Sequence, residues 1–167
     1  AYDIASCLVG SEMCIRDSHY PDYVLHLYGQ GELEQDLREL AEKLNIKESV
    51  IFEGFHENIL NEIKDAGMYV LSSDYEGISN SLLEAMAMGM PVISTDCPSG
   101  GSKMCIQNGV NGILVPVAES DALAAAMEKI ASSEDFATQI GKEATKVRDR
   151  FSMQNIVEQW IELLTEL

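Results

Sequence analysis

The stretch that decides the fold runs from residue 74 to residue 96, "DYEGISNSLLEAMAMGMPVISTD". Glu76 and Glu84 stand in it with seven residues between them, and the segment then turns apolar before Gly89 and Pro91. "LSSDYEG" reads as a strand end running into a loop, and "SNSLLEAMAMG" as the helix that follows. Ser79 or Asn80 supplies the N-cap, since a short polar side chain there accepts a bond from a first-turn amide. The remaining first-turn amides have no partner inside the helix. Together with the positive end of the helix dipole they suit an anion such as phosphate. Glu84 lies four residues beyond Asn80, on the face of the helix below that anion site, and Glu76 sits in the loop above it. An ionised carboxylate only accepts hydrogen bonds, so it suits neutral hydroxyls in vicinal pairs, as in sugars. An anion flanked by two sugars describes a nucleotide sugar, with ribose on one side and the transferred hexose on the other.

Outward from this segment the chain alternates. The pattern predicts strands over 23–29 ("YVLHLYG"), 49–54, 68–73, 91–96 and 111–117. It predicts helices over 32–46, 57–67, 79–88, 119–131, 134–149 and 153–166, with a short one in the Gly-rich loop at 99–107. In the first of these, Leu33, Leu37, Leu40 and Leu44 recur at helical spacing. Short apolar strands separated by helices predict an α/β fold, a Rossmann-like parallel sheet with helices on both faces. Such a sheet binds ligands in the loops at the carboxyl ends of its strands, which is where Glu76 falls.

The composition is that of a globular chain, 46% hydrophobic and 23% charged over 167 residues, which bounds it to one domain. The net charge of −17 argues against a nucleic-acid partner. The acidic excess falls on helical segments, where it forms a solvated face. No apolar run approaches the roughly 20 residues of a transmembrane segment. Of four cysteines, Cys97 and Cys105 lie outside the first 18 residues, without metal-ligand spacing or a disulfide framework. A reducing, cytoplasmic setting is expected.

Residues 1–18 stand apart. Back-translated, Leu8 to Asp17 can read CTC GTG GGC TCG GAG ATG TGT ATA AGA GAC, which resembles a transposase adapter used in sequencing libraries. Cys7 and Ser18 fit the same frame. The leader is therefore read as adapter-derived rather than native, and the domain as residues 19–167. On this reading the native sequence before His19 is replaced, and genomic DNA would show it.

"EGISNSLLEAMAMGMPVISTD" resembles the nucleotide-sugar motif of the family-4 (group 1) glycosyltransferases, retaining enzymes of the GT-B fold. The resemblance extends over residues 22–166, with "LYGQGELEQDLRELAEKL", "VIFEGF", "CPSGG" and "NGVNGILVPV" in the expected order. It implies the C-terminal, donor-binding half of a GT-B enzyme. It further implies that Glu84 holds the ribose hydroxyls and that Glu76 contacts the donor hexose and acts at its anomeric carbon. Gly77 shares that loop, and the backbone of Ile78, Ser79, Asn80 and Ser81 meets the sugar and diphosphate. The "FEGF" loop with Phe55 borders the nucleobase, and Gly29 and Gly31 form the turn after the first strand.

The implied reaction transfers a hexose from a nucleotide-sugar donor, UDP-linked, to a glycan or lipid-linked hydroxyl acceptor, with retention. It uses no metal and no further cofactor. The implied setting is bacterial polysaccharide assembly, cytoplasmic and peripheral to the inner face of the membrane. The family's basic pair that neutralises the diphosphate lies upstream of Tyr23, as do the first strand–helix unit and the acceptor domain, so the fragment alone is expected to be inactive. Arg16 falls in the adapter-like leader and is not cast in that role. A GT-B nucleotide-sugar isomerase and a non-catalytic nucleotide-sugar-binding module are the alternatives.

Other signals carry less. "YGQGELE" places Glu34 where a dinucleotide fingerprint needs its third glycine. No Asp-x-Asp occurs, in keeping with metal independence. His26 reads as a satisfied core histidine, while His56 is either a surface residue or a neighbour of the base. Lys103 either faces phosphate or is only a surface charge. Met86, Met88 and Met90 read as core, and Trp160 as an anchor on the last helix.

Overall fold

The computed structural model describes residues 23–57 and 59–165, so the adapter-like leader lies outside the described residues. The alternation of the sequence is realised throughout. In chain order the elements are β1 (Leu25–Tyr28), α1 (Glu34–Lys43), a 3-10 turn (Lys47–Ser49), β2 (Val50–Gly54), α2 (Ile59–Ile63), β3 (Tyr69–Leu71) and α3 (Asn80–Met88). They continue as β4 (Val92–Thr95), α4 (Gly101–Cys105), β5 (Ile113–Val115), α5 (Ser120–Ala131), α6 (Glu134–Ala144), α7 (Val147–Arg150) and α8 (Met153–Thr165).

Every strand pairing among the described residues is parallel. β4 lies between β3 and β5, with Tyr69 opposite Val92 and Ile93 opposite Ile113. β1 and β2 form a separate pair, with Leu25 opposite Val50. The expected parallel sheet is thus present as a triplet and a pair.

β4 is buried along its whole length, and successive side chains leave opposite faces of a strand. Val92 joins Leu71, Leu82, Ala85, Met86 and Met90 in one core, into which Ala144 and Val147 also pack. Ile93 joins Ile113, Val115, Leu123, Ala126, Ile130 and Ile140 in a second core on the other face. Helices therefore cover both faces of the triplet. Burial of each such large aliphatic side chain is worth about 1.5–3 kcal/mol. Two hydroxyls sit inside this apolar packing, and they satisfy each other: Ser94 Oγ and Ser102 Oγ are 2.8 Å apart.

α3 ends at Gly89, whose φ of 84° closes the helix in the left-handed conformation, with Met90 N donating to the Ala85 carbonyl at 3.1 Å. α6 packs against α3 through Gly141, where a Cβ would overlap the Gly89 carbonyl oxygen.

Four expectations need correction. The helix expected over 134–149 breaks into α6 and α7, because Lys146 N turns to the Glu143 carbonyl, an i−3 bond, and Arg148 Nε reaches the Ala87 carbonyl at 2.6 Å. His26 is not a core residue; the β1–β2 pair leaves one face open, and the exposed ring bonds Glu53 at 2.7 Å. Trp160 is no anchor. It is 60% exposed on α8, which buries none of its residues among the described ones. Strands are also shorter than the apolar runs, as at Ser73, whose carbonyl accepts side-chain bonds from Thr95 at the end of β4 and from Cys97 beyond it instead of extending the ladder. The methionines behave as expected, with Met86 and Met90 buried and Met88 packed against the same core.

Candidate functional site

The loop from β3 to α3 carries the site. Ser79 is the N-cap, resolving the choice the sequence leaves open: its backbone is extended, and its Oγ accepts from Leu82 N at 3.4 Å. The first intrahelical bond runs from Leu83 N to the Ser79 carbonyl at 3.1 Å. The amides of Asn80 and Ser81 therefore precede the helical ladder and are among its orphan donors. Tyr69 Oη donates to Ser81 Oγ at 2.8 Å, and Ser81 Oγ lies 2.9 Å from Ser79 Oγ. This chain of hydroxyls runs from the buried end of β3 to the cap and fixes the first turn of α3.

Glu76 is half-buried in the loop and Glu84 is exposed on α3. Neither carboxylate has a hydrogen-bond or ion-pair partner among the described residues. Two acceptor-only groups thus stand before and after a helix start whose free backbone amides are donors. Ser79, buried, lies between them in sequence, while Gly77, Ile78 and Asn80 are exposed and Ser81 is half-buried. Lys103, which the sequence leaves as a phosphate contact or a plain charge, is held on Asp96 at 2.5 Å.

The second group of expected site residues sits on the carboxyl ends of β1 and β2. Gly29 N donates to the Gly54 carbonyl at 2.8 Å, which joins the two loops, and the Gly31 carbonyl accepts from Glu34 N at 3.3 Å. Phe55 is 67% exposed beside them. No hydrogen bond or ring contact between described residues links this group to Glu76 or Glu84.

His56 stands next to Phe55 with both ring nitrogens facing acceptors. Nδ1 lies 2.7 Å from Glu62 Oε1 and Nε2 lies 3.0 Å from the Glu53 carbonyl. Only the imidazolium donates from both nitrogens. The Glu62 carboxylate raises the His56 pKa, against a smaller opposing desolvation. The edge of the Tyr28–His56 ring pair completes the cluster, and burial followed by the nearby Glu53 and Glu62 charges raises the Tyr28 pKa. His56 is thus held beside the Phe55 loop in surroundings that favour its protonated form.

Sequence reasoning missed the residues that hold the Glu76 loop. Ser99 Oγ donates to the Glu76 carbonyl, and Cys97 Sγ to the Ser73 carbonyl at 3.0 Å. The signal was the Gly-Gly of "CPSGG", since Gly101 packs directly on the Gly77–Ile78 backbone. No group of three His, Cys, Asp or Glu that could hold a metal ion occurs among the described residues. Nor, among them, is any helix long and apolar enough to cross a membrane.

Over residues 14–147 the chain matches the family described as glycosyl transferases group 1. It is 33% identical over 149 residues to an exopolysaccharide phosphotransferase of Streptomyces coelicolor, covering 89% of this chain and 16% of the relative. It is 29% identical over 145 residues to the lipopolysaccharide core biosynthesis glycosyltransferase LpsE of Rhizobium meliloti, covering 86% and 42%. Among solved structures, Anabaena HepE in complex with UDP superposes with a TM-score of 0.78 at 27% identity, over 88% of this chain and 42% of that one. The chain thus spans less than half the length of each of these proteins.

Proposed function

The chain belongs to the group 1 glycosyl transferases, and from that membership we propose that the protein carrying it transfers a hexose from a UDP-linked donor to a hydroxyl acceptor with retention. The observation that carries this reading is the pair of unpartnered carboxylates, Glu76 and Glu84, on either side of the α3 start. The Asn80 and Ser81 amides meet the diphosphate. Glu84 accepts from the ribose hydroxyls. Glu76 accepts from hexose hydroxyls and stabilises the positive charge that develops at the anomeric carbon. Gly29, Gly31 and Phe55 line the nucleobase side.

In the transfer, the bond from the anomeric carbon to the leaving phosphate oxygen breaks. The acceptor oxygen then attaches on the face the phosphate leaves, and its proton passes to the leaving phosphate. No metal is assigned to the diphosphate. The complex of HepE with UDP supports the base and diphosphate assignment, and the role named for LpsE, lipopolysaccharide core biosynthesis, supports glycan assembly. The acceptor, glycan or lipid-linked, is assigned to parts of the longer protein outside this domain.

The test is product analysis with the full-length protein, UDP-glucose and a glycan acceptor. A new glycosidic bond of unchanged anomeric configuration, formed with release of UDP, is the expected result. An epimerised donor, or bound donor with no UDP released, would overturn the proposal.

A further inference from the structure

The loop that presents Glu76 is gripped at three points by the end of β4 and the chain that follows it. Near its start, the Ser73 carbonyl accepts from Thr95 Oγ1 at 2.5 Å and from Cys97 Sγ at 3.0 Å. At Glu76 itself, the backbone carbonyl accepts from Ser99 Oγ. One residue on, the backbone of Gly77 and Ile78 lies against Gly101: a Cβ there would stand 2.7 Å from Ile78 N and closer still to the Gly77 carbonyl. Both neighbours are backbone, so nothing at the contact yields by rotating a side chain. The 95–101 segment is itself anchored at both ends, by the Asp96 N bond to the Val115 carbonyl at 2.7 Å and by the buried Ser94–Ser102 hydroxyl pair. By contrast, Asp74 and Tyr75 in the loop are exposed, and Tyr75 is 79% so.

We propose that residues 95–101 are a positioning element for Glu76, with Ser99 and Gly101 setting where its carboxylate stands relative to the α3 start. The inference rests on the assignment of Glu76 to the donor hexose made above. Ser99 and Gly101 touch no donor; they act through the carbonyls of Glu76 and Gly77. Glu84 is carried by the packed helix and does not depend on them. Loss of the brace therefore separates hexose recognition from nucleotide recognition.

The experiment uses the 167-residue chain, isotopically labelled, with UDP and UDP-glucose as probes. In Ser99→Ala, the Glu76 carbonyl carbon resonance shifts as its hydrogen bond is lost, and Ser99→Thr, which keeps the hydroxyl, restores it. In Gly101→Ala, the Gly77 and Ile78 amide resonances move. The UDP affinity stays within about twofold, while the extra affinity for UDP-glucose falls about tenfold, as expected for one misplaced charge-assisted contact. Equal affinities for UDP and UDP-glucose in the unsubstituted chain would count against the hexose role of Glu76, and the carbonyl and amide shifts would then decide the brace alone. If those resonances stay in place in both Ser99→Ala and Gly101→Ala, or if UDP and UDP-glucose affinities fall together in Gly101→Ala, the positioning role is wrong.

Discussion

On the proposed assignment of Glu84 to the ribose, replacing it by alanine isolates the nucleotide contact. Glu84 sits exposed on α3 with no partner among the described residues, so its removal breaks no described contact and alanine is the better helix former. The thermal midpoint should stay within about 2 °C of wild type. A carboxylate accepting from two vicinal ribose hydroxyls makes two charge-assisted bonds of about 1.5–3 kcal/mol each. Because the group is exposed, water competes for it and the lower end applies. The pair is then worth about 3 kcal/mol, or about a hundredfold in Kd. Calorimetric titration of the full-length protein measures this directly, with UDP and UDP-glucose both weakened in Glu84→Ala. Glu76→Ala should leave the UDP isotherm unchanged and reduce transfer. If the two variants lose UDP affinity equally, or if Glu84→Ala loses less than about threefold, the division of labour between the carboxylates is refuted.

The His56 pKa is raised in the folded chain, so the stability its protonation contributes is fully present below the ordinary value of about 6.5 and is lost as pH rises through the raised one. The midpoint difference between wild type and His56→Ala should therefore shrink from about pH 6.5 upward, and a difference that grows with pH would contradict the raised pKa. Leu82 is fully buried in the core under α3, and Leu82→Ala should cost about 2–5 kcal/mol in urea unfolding; a loss below about 1 kcal/mol would mean the core is looser than described. Transfer and UDP binding should survive excess EDTA, and their abolition by EDTA with recovery on adding a divalent cation would refute metal independence.

The local devices of the site were legible because they are written in side-chain chemistry. A short polar cap, a glutamate one turn into the helix and a glycine at its end name α3 almost to the residue. The α/β class followed from apolar runs such as "PVISTD", whose central residues, β4, are buried on both faces. What escaped was written in backbone. The brace on the Glu76 loop works on carbonyl oxygens, which every residue owns, so its acceptors leave no mark in the sequence and only the Gly-Gly of "CPSGG" points to it. The break at Thr145–Lys146 is a shift from i−4 to i−3 bonding inside a run that holds no proline to mark it. Exposure of His26 and Trp160 depends on what covers a strand pair or a helix, which periodicity does not report.

Because the 95–101 segment grips carbonyls, the side chains at Asp74 and Tyr75 are left out of the fixing of their own loop. Mutation is free to rewrite them without moving the acid beside them. A lineage carrying this architecture can thus vary that part of the loop one substitution at a time, with the position of the acid inherited intact. The corresponding cost falls on position 101, where any step away from glycine runs into the Gly77 and Ile78 backbone and moves the loop itself.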